Sequence, residues 1–271
     1  MSIDKIHSYF GFSKMPFEKD ISPSELFQSI GHKEATARIK YLVDSQAIGV
    51  ITGEVGSGKT VAVRSAMSSS QSSKYSAIYI SNPSIGARGI YTQIVASMGE
   101  EPKFFLSQLI AQTSQLLSRE RPEKGKKMVV IFDEAHLLNG SQLEELRLLT
   151  NSNMDSTSPF ALILIGQPAL QQKLRLSHYV ALEQRVMVKY QVPPMSYEET
   201  RDYIHHHLKI CGRSDTLFSD DALASIHQAS RGLPRSVNNY SRQALVATYS
   251  NNSAIVDEKS AQQAIQESGS D

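Results

Sequence analysis

Several features that mark particular protein classes are scarce or missing in this sequence. One cysteine, Cys211, stands among 271 residues, so no internal disulfide can form and a reducing, cytoplasmic location is expected. The longest apolar runs, such as residues 160–165, are too short to cross a bilayer. Residues 1–17 lack the apolar segment and cleavage site of a signal peptide. We therefore expect a soluble protein that makes no membrane contact.

An excess of charge of either sign is also missing. Lysine and arginine total 28 and aspartate and glutamate 27, which gives a formal charge of +1. The net charge therefore produces no strong electrostatic attraction to nucleic acid or anionic lipid. A local basic patch is still compatible with this near-neutral total. With 40% hydrophobic and 20% charged residues, the composition excludes a wholly disordered chain. A length of 271 residues suits one large domain or two modest ones.

Up to residue 192 the apolar pattern alternates between short strands and helices. Short apolar runs, most of them unbroken, predict five strands, and helical apolar spacing predicts the helices between them. This alternation is typical of a parallel sheet covered by helices on both faces. The predicted strands are 48–51, 77–80, 128–132, 160–165 and 186–190, and the predicted helices are 34–43, 61–67, 90–98, 105–117, 141–149 and 168–176.

The remaining segments differ from this pattern. Aromatic residues with glycine and proline breaks over 9–17 predict an irregular arm, residues 68–73 a Ser/Gln linker, and the charges of 119–127 a loop. Beyond 192 the spacing predicts only helices, at 196–210, 219–230, 235–250 and 257–267. We therefore divide the chain into an N-terminal arm (1–30), an α/β domain (31–192) and a helical domain (193–271).

Two serines are predicted to begin helices in the last domain. Ser196 and Ser219 each precede a helical pattern and are N-cap candidates. Glu199 follows Ser196 by three residues and completes a capping box.

A glycine-rich segment between the first strand and the next helix predicts a phosphate-binding loop. The segment matches G-x-x-x-x-G-K-[ST] in every fixed position, in the required strand-to-helix context. Its glycines let backbone N–H groups surround phosphates, and the helix that follows adds the positive end of its dipole. Lys59 is expected to reach the β and γ phosphates, and Thr60 to ligate Mg²⁺. The loop residues are Gly53, Glu54, Val55, Gly56, Ser57, Gly58, Lys59 and Thr60.

Two acids end the third predicted strand. Asp133 is expected to hold Mg²⁺ directly or through water, and Glu134 to orient and deprotonate the attacking water. Because both motifs lie on strands of one parallel sheet, they predict nucleotide binding and hydrolysis. No N-K-x-D guanine-reading motif occurs in the sequence, which favours ATP over GTP.

These residues resemble the AAA+ ATPases, and within them the ExeA-like ATPases and the ATPase partners of DDE transposases. The resemblance covers nearly the whole chain and implies a P-loop α/β fold, a five-stranded parallel sheet sandwiched by helices and followed by a small helical lid domain. The phosphate loop and acid pair are specific to the wider ATPase class, whereas the N-terminal arm and the later segments narrow the resemblance to this branch. Besides the phosphate loop, the segments that carry the resemblance are Tyr9-Phe10-Gly11-Phe12 with Pro16-Phe17, Gly31-His32-Lys33-Glu34-Ala35, Asp133-Glu134-Ala135-His136, Ile165-Gly166-Gln167-Pro168, Glu183-Gln184-Arg185 and Gly232-Leu233-Pro234-Arg235-Ser236-Val237-Asn238.

The resemblance also implies roles for five further residues. Gly31 and His32 match the segment beside the adenine in AAA+ proteins. Gln167 follows the fourth strand, at the position of a polar sensor, although Asn or Thr is commoner there. Arg185 matches an arginine finger that reaches into a neighbouring subunit, so that hydrolysis would require an oligomer. Arg235 resembles the second sensor, which contacts the γ-phosphate from the lid.

Two other interpretations of the motifs are weaker. Asp133-Glu134-Ala135-His136 also spells a helicase box, but the further helicase motifs and a second sheet domain are missing. His205, His206 and His207 suggest a metal site, yet consecutive helical residues point about 100° apart, which favours a solvated helix face.

Three functions remain open for this ATPase. The resemblance to transposase partners implies an ATP-dependent ring or filament on duplex DNA that recruits a transposase and regulates target selection. The chain ends after the helical domain, without the membrane and peptidoglycan-binding regions expected of an ExeA-like secretion protein, so we favour transposition. The alternatives are a secretion-type assembly ATPase acting on proteins, and an initiator- or clamp-loader-like switch. Candidate DNA contacts are Arg88, Lys103, Arg119, Arg121, Lys124, Lys126 and Lys127.

Overall fold

A parallel sheet of five strands organises the first part of the fold. The computed structural model describes residues 3–18, 20–68, 74–151 and 158–268, with the side chains of 3–4 and 119–124 outside the description. The strands are β1 (Ile48–Thr52), β2 (Tyr75–Ile80), β3 (Lys127–Phe132), β4 (Ala161–Gly166) and β5 (Val186–Gln191). They lie in the order β2-β3-β4-β1-β5, and all four pairings are parallel.

The strand register explains where functional side chains collect. Thr52 at the end of β1 pairs with Gly166 at the end of β4, and Ile80 pairs with Phe132 at the ends of β2 and β3. Because the strands are parallel, the loops that follow β1, β3 and β4 all leave from one edge of the sheet. Parallel sheets bind ligands outside this carboxyl edge, where strand order reverses. In this sheet the strand order reverses at β1, which lies between β4 and β5.

Helices cover both faces of the sheet. On one face Val50 and Val130 pack in a core with residues of α4, α5 and α6, and on the other Ile51 and Ile131 pack with residues of α2 and α3. Every residue of β1 and β4 is buried, as expected for central strands with two covered faces. The helices are α2 (Ile30–Ser45), α3 (Lys59–Met67), α4 (Gly86–Ser97), α5 (Leu106–Lys124), α6 (Gly140–Leu149), α7 (Ala169–Leu174) and α8 (Val180–Glu183).

A second core is formed mainly by helices, together with residues of the segments that connect them. It contains α1 (Ile3–Phe10), α9 (Tyr197–Ile210), α10 (Asp220–Ser230), α11 (Pro234–Ser250) and α12 (Glu258–Ser268). The predicted caps are confirmed: Ser196 accepts the N–H of Glu199 in a capping box, and Ser219 accepts the N–H of Ala222.

Contacts divide the chain into two units. The first contains the described parts of Met1–His32 and Pro193–Asp271 together with Val55–Gly58, and the second contains the described parts of Lys33–Glu54 and Lys59–Val192. The arm thus clusters with the C-terminal helices, where Phe10, Phe12 and Phe17 are buried in their core. The three-part division proposed from the sequence stays a prediction.

The structure differs from the sequence-based expectations in the N-terminal arm and at 119–127. Tyr9 and Phe10, assigned to an irregular arm, lie in α1, because Ile6 and Phe10 form one buried helical face. The predicted loop at 119–127 is wrong in most of its length, since α5 continues to Lys124. Arginine, glutamate and lysine are good helix formers, so charge alone did not indicate a loop. The predicted linker at 68–73 lies, beyond residue 68, outside the described residues.

The histidine run is not a solvated face. His207 is buried at 2% exposure, and its Nδ1 accepts the backbone N–H of Phe17 at 3.3 Å. The Nε2 of His206 lies 2.6 Å from the carbonyl oxygen of Glu25, whereas His205 is exposed. Across the described ranges, no group of three or more His, Cys, Asp or Glu side chains is placed to hold a metal ion.

None of the helices in the described ranges combines the length and the apolar character needed to cross a membrane.

Candidate nucleotide-binding site

The glycine-rich loop connects β1 to α3 at the carboxyl edge of the sheet. Gly56 and Gly58 adopt φ values of +82° and +89°, a region that side-chain-bearing residues rarely enter. At Gly56 a Cβ would also lie 2.7 Å from the Cβ of Arg235, which belongs to the same contact unit. The backbone N–H of Arg235 donates to the carbonyl oxygen of Gly56 at 3.3 Å. These two glycines are therefore required by the backbone conformation of the loop.

Lys59 is folded against its own loop. Its Nζ donates to the carbonyl oxygens of Gly53 at 2.9 Å and Glu54 at 2.8 Å, and the residue is 9% exposed. The side chains of Glu54 and Val55 are exposed. The carbonyl oxygens of Gly53 and Glu54 are uncharged acceptors, and an anionic ligand is a stronger partner for a buried ammonium.

Thr60 and Asp133 meet across the two motifs. The Oγ1 of Thr60 donates to Oδ2 of Asp133 at 2.8 Å, and the phenol of Tyr79 donates to the same Oδ2 at 2.6 Å. The Oδ1 of Asp133 accepts the backbone N–H of Glu134 at 2.9 Å. Asp133 is 8% exposed, so its carboxylate is buried and held by three donors. Hydroxyl and carboxylate oxygens are the ligands that Mg²⁺ prefers.

Glu134 follows in an uncommon backbone conformation. It lies at φ 50° and ψ 35°, the left-handed region, and its side chain is about half exposed. Its Oε2 lies 3.4 Å from Nδ1 of His136. Lys173 of α7 donates to the carbonyl oxygens of His136 and Leu138, which holds the turn that follows Glu134. The carboxylate is thus presented by a turn that α7 anchors.

The other predicted residues occupy several elements. Gln167 is half-buried and follows β4 directly. Arg185 precedes β5, and its guanidinium donates to the carbonyl oxygen of Arg147 at 3.4 Å. Arg235 is exposed in the first turn of α11. The structure therefore brings together Thr60 with Asp133, Lys59 with Gly53 and Glu54, and Arg235 with Gly56.

Gly31 and His32 open α2. A Cβ at Gly31 would lie 2.9 Å from Cδ of Pro193, so the glycine allows the helix start to approach that ring. The backbone N–H of His32 donates to Oγ of Ser29 at 3.2 Å. Burial lowers the pKa of His32 below its ordinary value, so the imidazole is neutral at pH 7. A neutral imidazole that follows a small residue suits a flat apolar ligand group.

Tyr79 is the site residue that the sequence analysis did not identify. Burial and its hydrogen bond to Asp133, with the charges of Asp133 and Glu134, raise the pKa of Tyr79 above its ordinary value, so the phenol remains a donor at neutral pH. Tyr79 belongs to no motif. Only the pairing of β2 with β3 brings it to Asp133, and no short-range signal in the sequence gives that strand order.

The arrangement fits a nucleotide with Mg²⁺. Ser57 is 6% exposed, and its Oγ has no hydrogen-bond partner within the described part of the chain. A buried polar atom without a partner costs about 1–3 kcal/mol, so this hydroxyl fits a site that is completed by a ligand. The buried ammonium of Lys59 and the Thr60–Asp133 oxygen pair fit the phosphate and the metal ion respectively.

Comparison with known proteins gives one family and one curated relative. Residues 42–174 match the family described as an AAA domain. General secretion pathway protein A of Aeromonas hydrophila is 35% identical over 252 residues, which cover 90% of this chain and 45% of that protein. The chain therefore spans less than half the length of this relative.

Solved structures share the fold at low sequence identity. Cdc6p from Pyrobaculum aerophilum has a TM-score of 0.72 and 17% identity, covering 93% of this chain and 70% of that chain. The ORC2 protein of Aeropyrum pernix, solved in ADPNP–ADP complexes, has a TM-score of 0.69 and 17% identity, covering 93% and 71%. The RuvB Holliday junction branch migration motor of Thermotoga maritima has a TM-score of 0.57 and 15% identity, covering 86% and 68%. At such identities these likenesses bear on the fold alone.

Proposed function

We propose that this chain, a P-loop ATPase with the AAA+ fold and an AAA domain related to general secretion pathway protein A, couples ATP binding and hydrolysis to the assembly or remodelling of a partner protein. This is the secretion-type alternative of the sequence analysis. Transposition target selection, the function favoured there, finds no support among the relatives.

The buried Thr60–Asp133 pair beside Lys59 is the observation that carries the nucleotide part of the proposal. In our proposal the loop from Gly53 to Thr60 holds the phosphates of ATP, with Lys59 on the β and γ phosphates. Thr60 and Asp133 hold Mg²⁺, which when bound neutralises charge on the transferred phosphoryl group. Gly31 and His32 lie beside the adenine.

Four residues are proposed to act in hydrolysis. Glu134 takes a proton from the attacking water, since its carboxylate is exposed and its turn is anchored by Lys173. Gln167 orients the water or the γ-phosphate. Arg235 contacts the γ-phosphate from the helical unit, and Arg185 completes the site of a neighbouring subunit in a homo-oligomer.

An exposed aromatic surface supports a protein partner. Phe104, Phe105 and Leu106 are consecutive and 75%, 62% and 43% exposed. The guanidinium of Arg88 lies 5.2 Å from the centre of the Phe104 ring. Aromatic residues with arginine are enriched at the centres of protein interfaces. This surface suits a partner that buries apolar side chains.

The DNA-bound transposition regulator stays a prediction. Among its candidate contacts, Lys127 is paired, because its Nζ lies 3.2 Å from Oδ1 of Asp44 and 2.8 Å from the carbonyl oxygen of the same residue. Arg88 stacks on Phe104. Lys103 is exposed and Lys126 is half-buried. The side chains of Arg119, Arg121 and Lys124 lie outside the described residues.

Two measurements on the purified chain test the proposal. The first is phosphate release from ATP with Mg²⁺, for the wild type and for Lys59→Ala, with Lys40→Ala as a control because Lys40 is an exposed lysine of α2. The second is the assembly state by light scattering without nucleotide, with ADP and with ATP. Both are repeated with a long duplex of random sequence over a salt series.

The outcomes separate the functions. Hydrolysis that Lys59→Ala abolishes and Lys40→Ala preserves, with ATP-dependent assembly that duplex DNA leaves unchanged, would support the protein-directed ATPase. Hydrolysis stimulated by duplex DNA, with binding that weakens steeply with salt, would support the DNA-bound regulator instead. Equal rates for Lys59→Ala and the wild type would refute the proposed phosphate site.

A further inference from the structure

We propose that Tyr79 is a positioning residue for Asp133, and that its hydroxyl raises the Mg²⁺ affinity of the candidate nucleotide site. The inference rests on the proposed function, because it concerns the same site. The observation that carries it is the 2.6 Å hydrogen bond from the phenol of Tyr79 to Oδ2 of Asp133.

The sheet holds Tyr79 beside this carboxylate. Tyr79 pairs with Ile131, and Ile80 pairs with Phe132, in the β2–β3 register. One residue further, the backbone N–H of Asp133 donates to the carbonyl oxygen of Ile80 at 2.9 Å. The ladder between the strands therefore extends to Asp133. Backbone hydrogen bonds on both strands determine how far the phenol lies from the carboxylate.

The carboxylate of Asp133 is oriented by donors from three elements. Thr60 of α3 and Tyr79 of β2 donate to Oδ2, at 2.8 Å and 2.6 Å, and the backbone N–H of Glu134 donates to Oδ1 at 2.9 Å. If Thr60 also ligates Mg²⁺, its hydroxyl must serve two partners. Tyr79 is not a proposed ligand of the metal ion. Of these two hydroxyls, therefore, only that of Tyr79 would donate to the carboxylate without also binding Mg²⁺.

Packing does not explain Tyr79. Its side chain is 48% exposed, so a phenylalanine would keep the buried part of the ring and remove only the hydroxyl. Ligands of metal ions are commonly held by such a second partner, and losing the partner lowers metal affinity by about 10–100-fold. The same strand provides a matched control, since the phenol of Tyr75 donates to Oδ1 of Asp44 at 3.0 Å, a different carboxylate.

The experiment measures binding without hydrolysis. A fluorescent ADP analogue is titrated into the wild type, Tyr79→Phe and Tyr75→Phe, first in EDTA and then at increasing Mg²⁺. We expect Tyr79→Phe to raise the Mg²⁺ concentration for half-maximal binding about tenfold, the lower end of the effect of losing such a partner. Its affinity for the analogue in EDTA should equal that of the wild type, and Tyr75→Phe should match the wild type in both conditions.

Each result bears on a defined part of the argument. If Tyr79→Phe leaves the Mg²⁺ concentration for half-maximal binding unchanged or lowers it, the positioning role is overturned and the proposed function stays intact. A wild type that binds no analogue at any Mg²⁺ concentration would overturn the proposed function and this inference together. An equal rise in Mg²⁺ demand for Tyr75→Phe would show a general effect of altering β2, and would also overturn the positioning role.

Discussion

Acidification is expected to destabilise the helical unit through His207. This imidazole is 2% exposed, stacks on the Phe17 ring at 5.1 Å between centroids, and accepts the backbone N–H of Phe17 at Nδ1. A protonated Nδ1 cannot accept that hydrogen bond. Burial, with smaller contributions from His206 and Lys14, lowers the pKa of His207 to about 4.

The magnitude follows from the pKa difference between the folded and unfolded chain. The ordinary pKa of 6.5 falls to about 4 in the fold. Each pKa unit is worth about 1.4 kcal/mol, so the folded state loses about 3 kcal/mol as the pH falls through this range. Stability falls with falling pH because the unfolded chain takes up the proton at a higher pH than the folded chain does. The stability is present above pH 6.5, the unfolded value, and is lost as the pH falls towards about 4.

The assay compares two variants on the same helix. The free energy of unfolding is measured by urea denaturation at several pH values between 6.5 and about 4, for the wild type, His207→Gln and His205→Gln. Losing the titrating group should flatten the pH slope of His207→Gln by up to about 1.4 kcal/mol per pH unit. His205 is exposed, so His205→Gln should keep the wild-type slope.

Equal pH slopes for His207→Gln and the wild type would refute the reasoning. That result would mean that His207 has similar pKa values in the folded and unfolded chain, and that its burial and its bond to Phe17 do not hold it neutral. A slope that flattens equally in His205→Gln would point to a general charge effect of the helix.

Two further predictions concern hydrolysis. Glu134→Gln should bind ATP as the wild type does but release phosphate about 10²–10⁴-fold more slowly, because an amide cannot accept a proton from water. Arg185→Ala should retain ATP binding and lose about 10³–10⁵ in turnover, by analogy with arginine fingers in GTPases. An equimolar mixture of the two variants should regain part of the activity, since each supplies the group that the other lacks. Wild-type turnover by Glu134→Gln would exclude Glu134 as the base, and a mixture no more active than its components would argue against Arg185 acting in a neighbouring subunit.

The strands and most helices could be predicted from the sequence because their signals are local. Short apolar runs, most of them unbroken, predicted all five strands, and the structure buries β1 and β4 completely. Ser196 and Ser219 cap their helices as predicted, since a cap involves residues only three apart. The same local reasoning is wrong at 119–124. The charged residues there predicted a loop, but they continue α5.

The candidate site likewise combines groups that local sequence signals predict with contacts that they do not. The phosphate loop is a continuous segment, and the Asp133–Glu134 pair ends a strand, so the sequence by itself determined these groups and the chemistry they suit. Only the tertiary structure decided that Tyr79 donates to Asp133, that Lys173 anchors the turn after Glu134, and that His207 is buried against Phe17. Each of these contacts joins residues far apart in the chain. Strand order and helix packing create them, and the periodicity of one segment carries no information about which other segment it will meet.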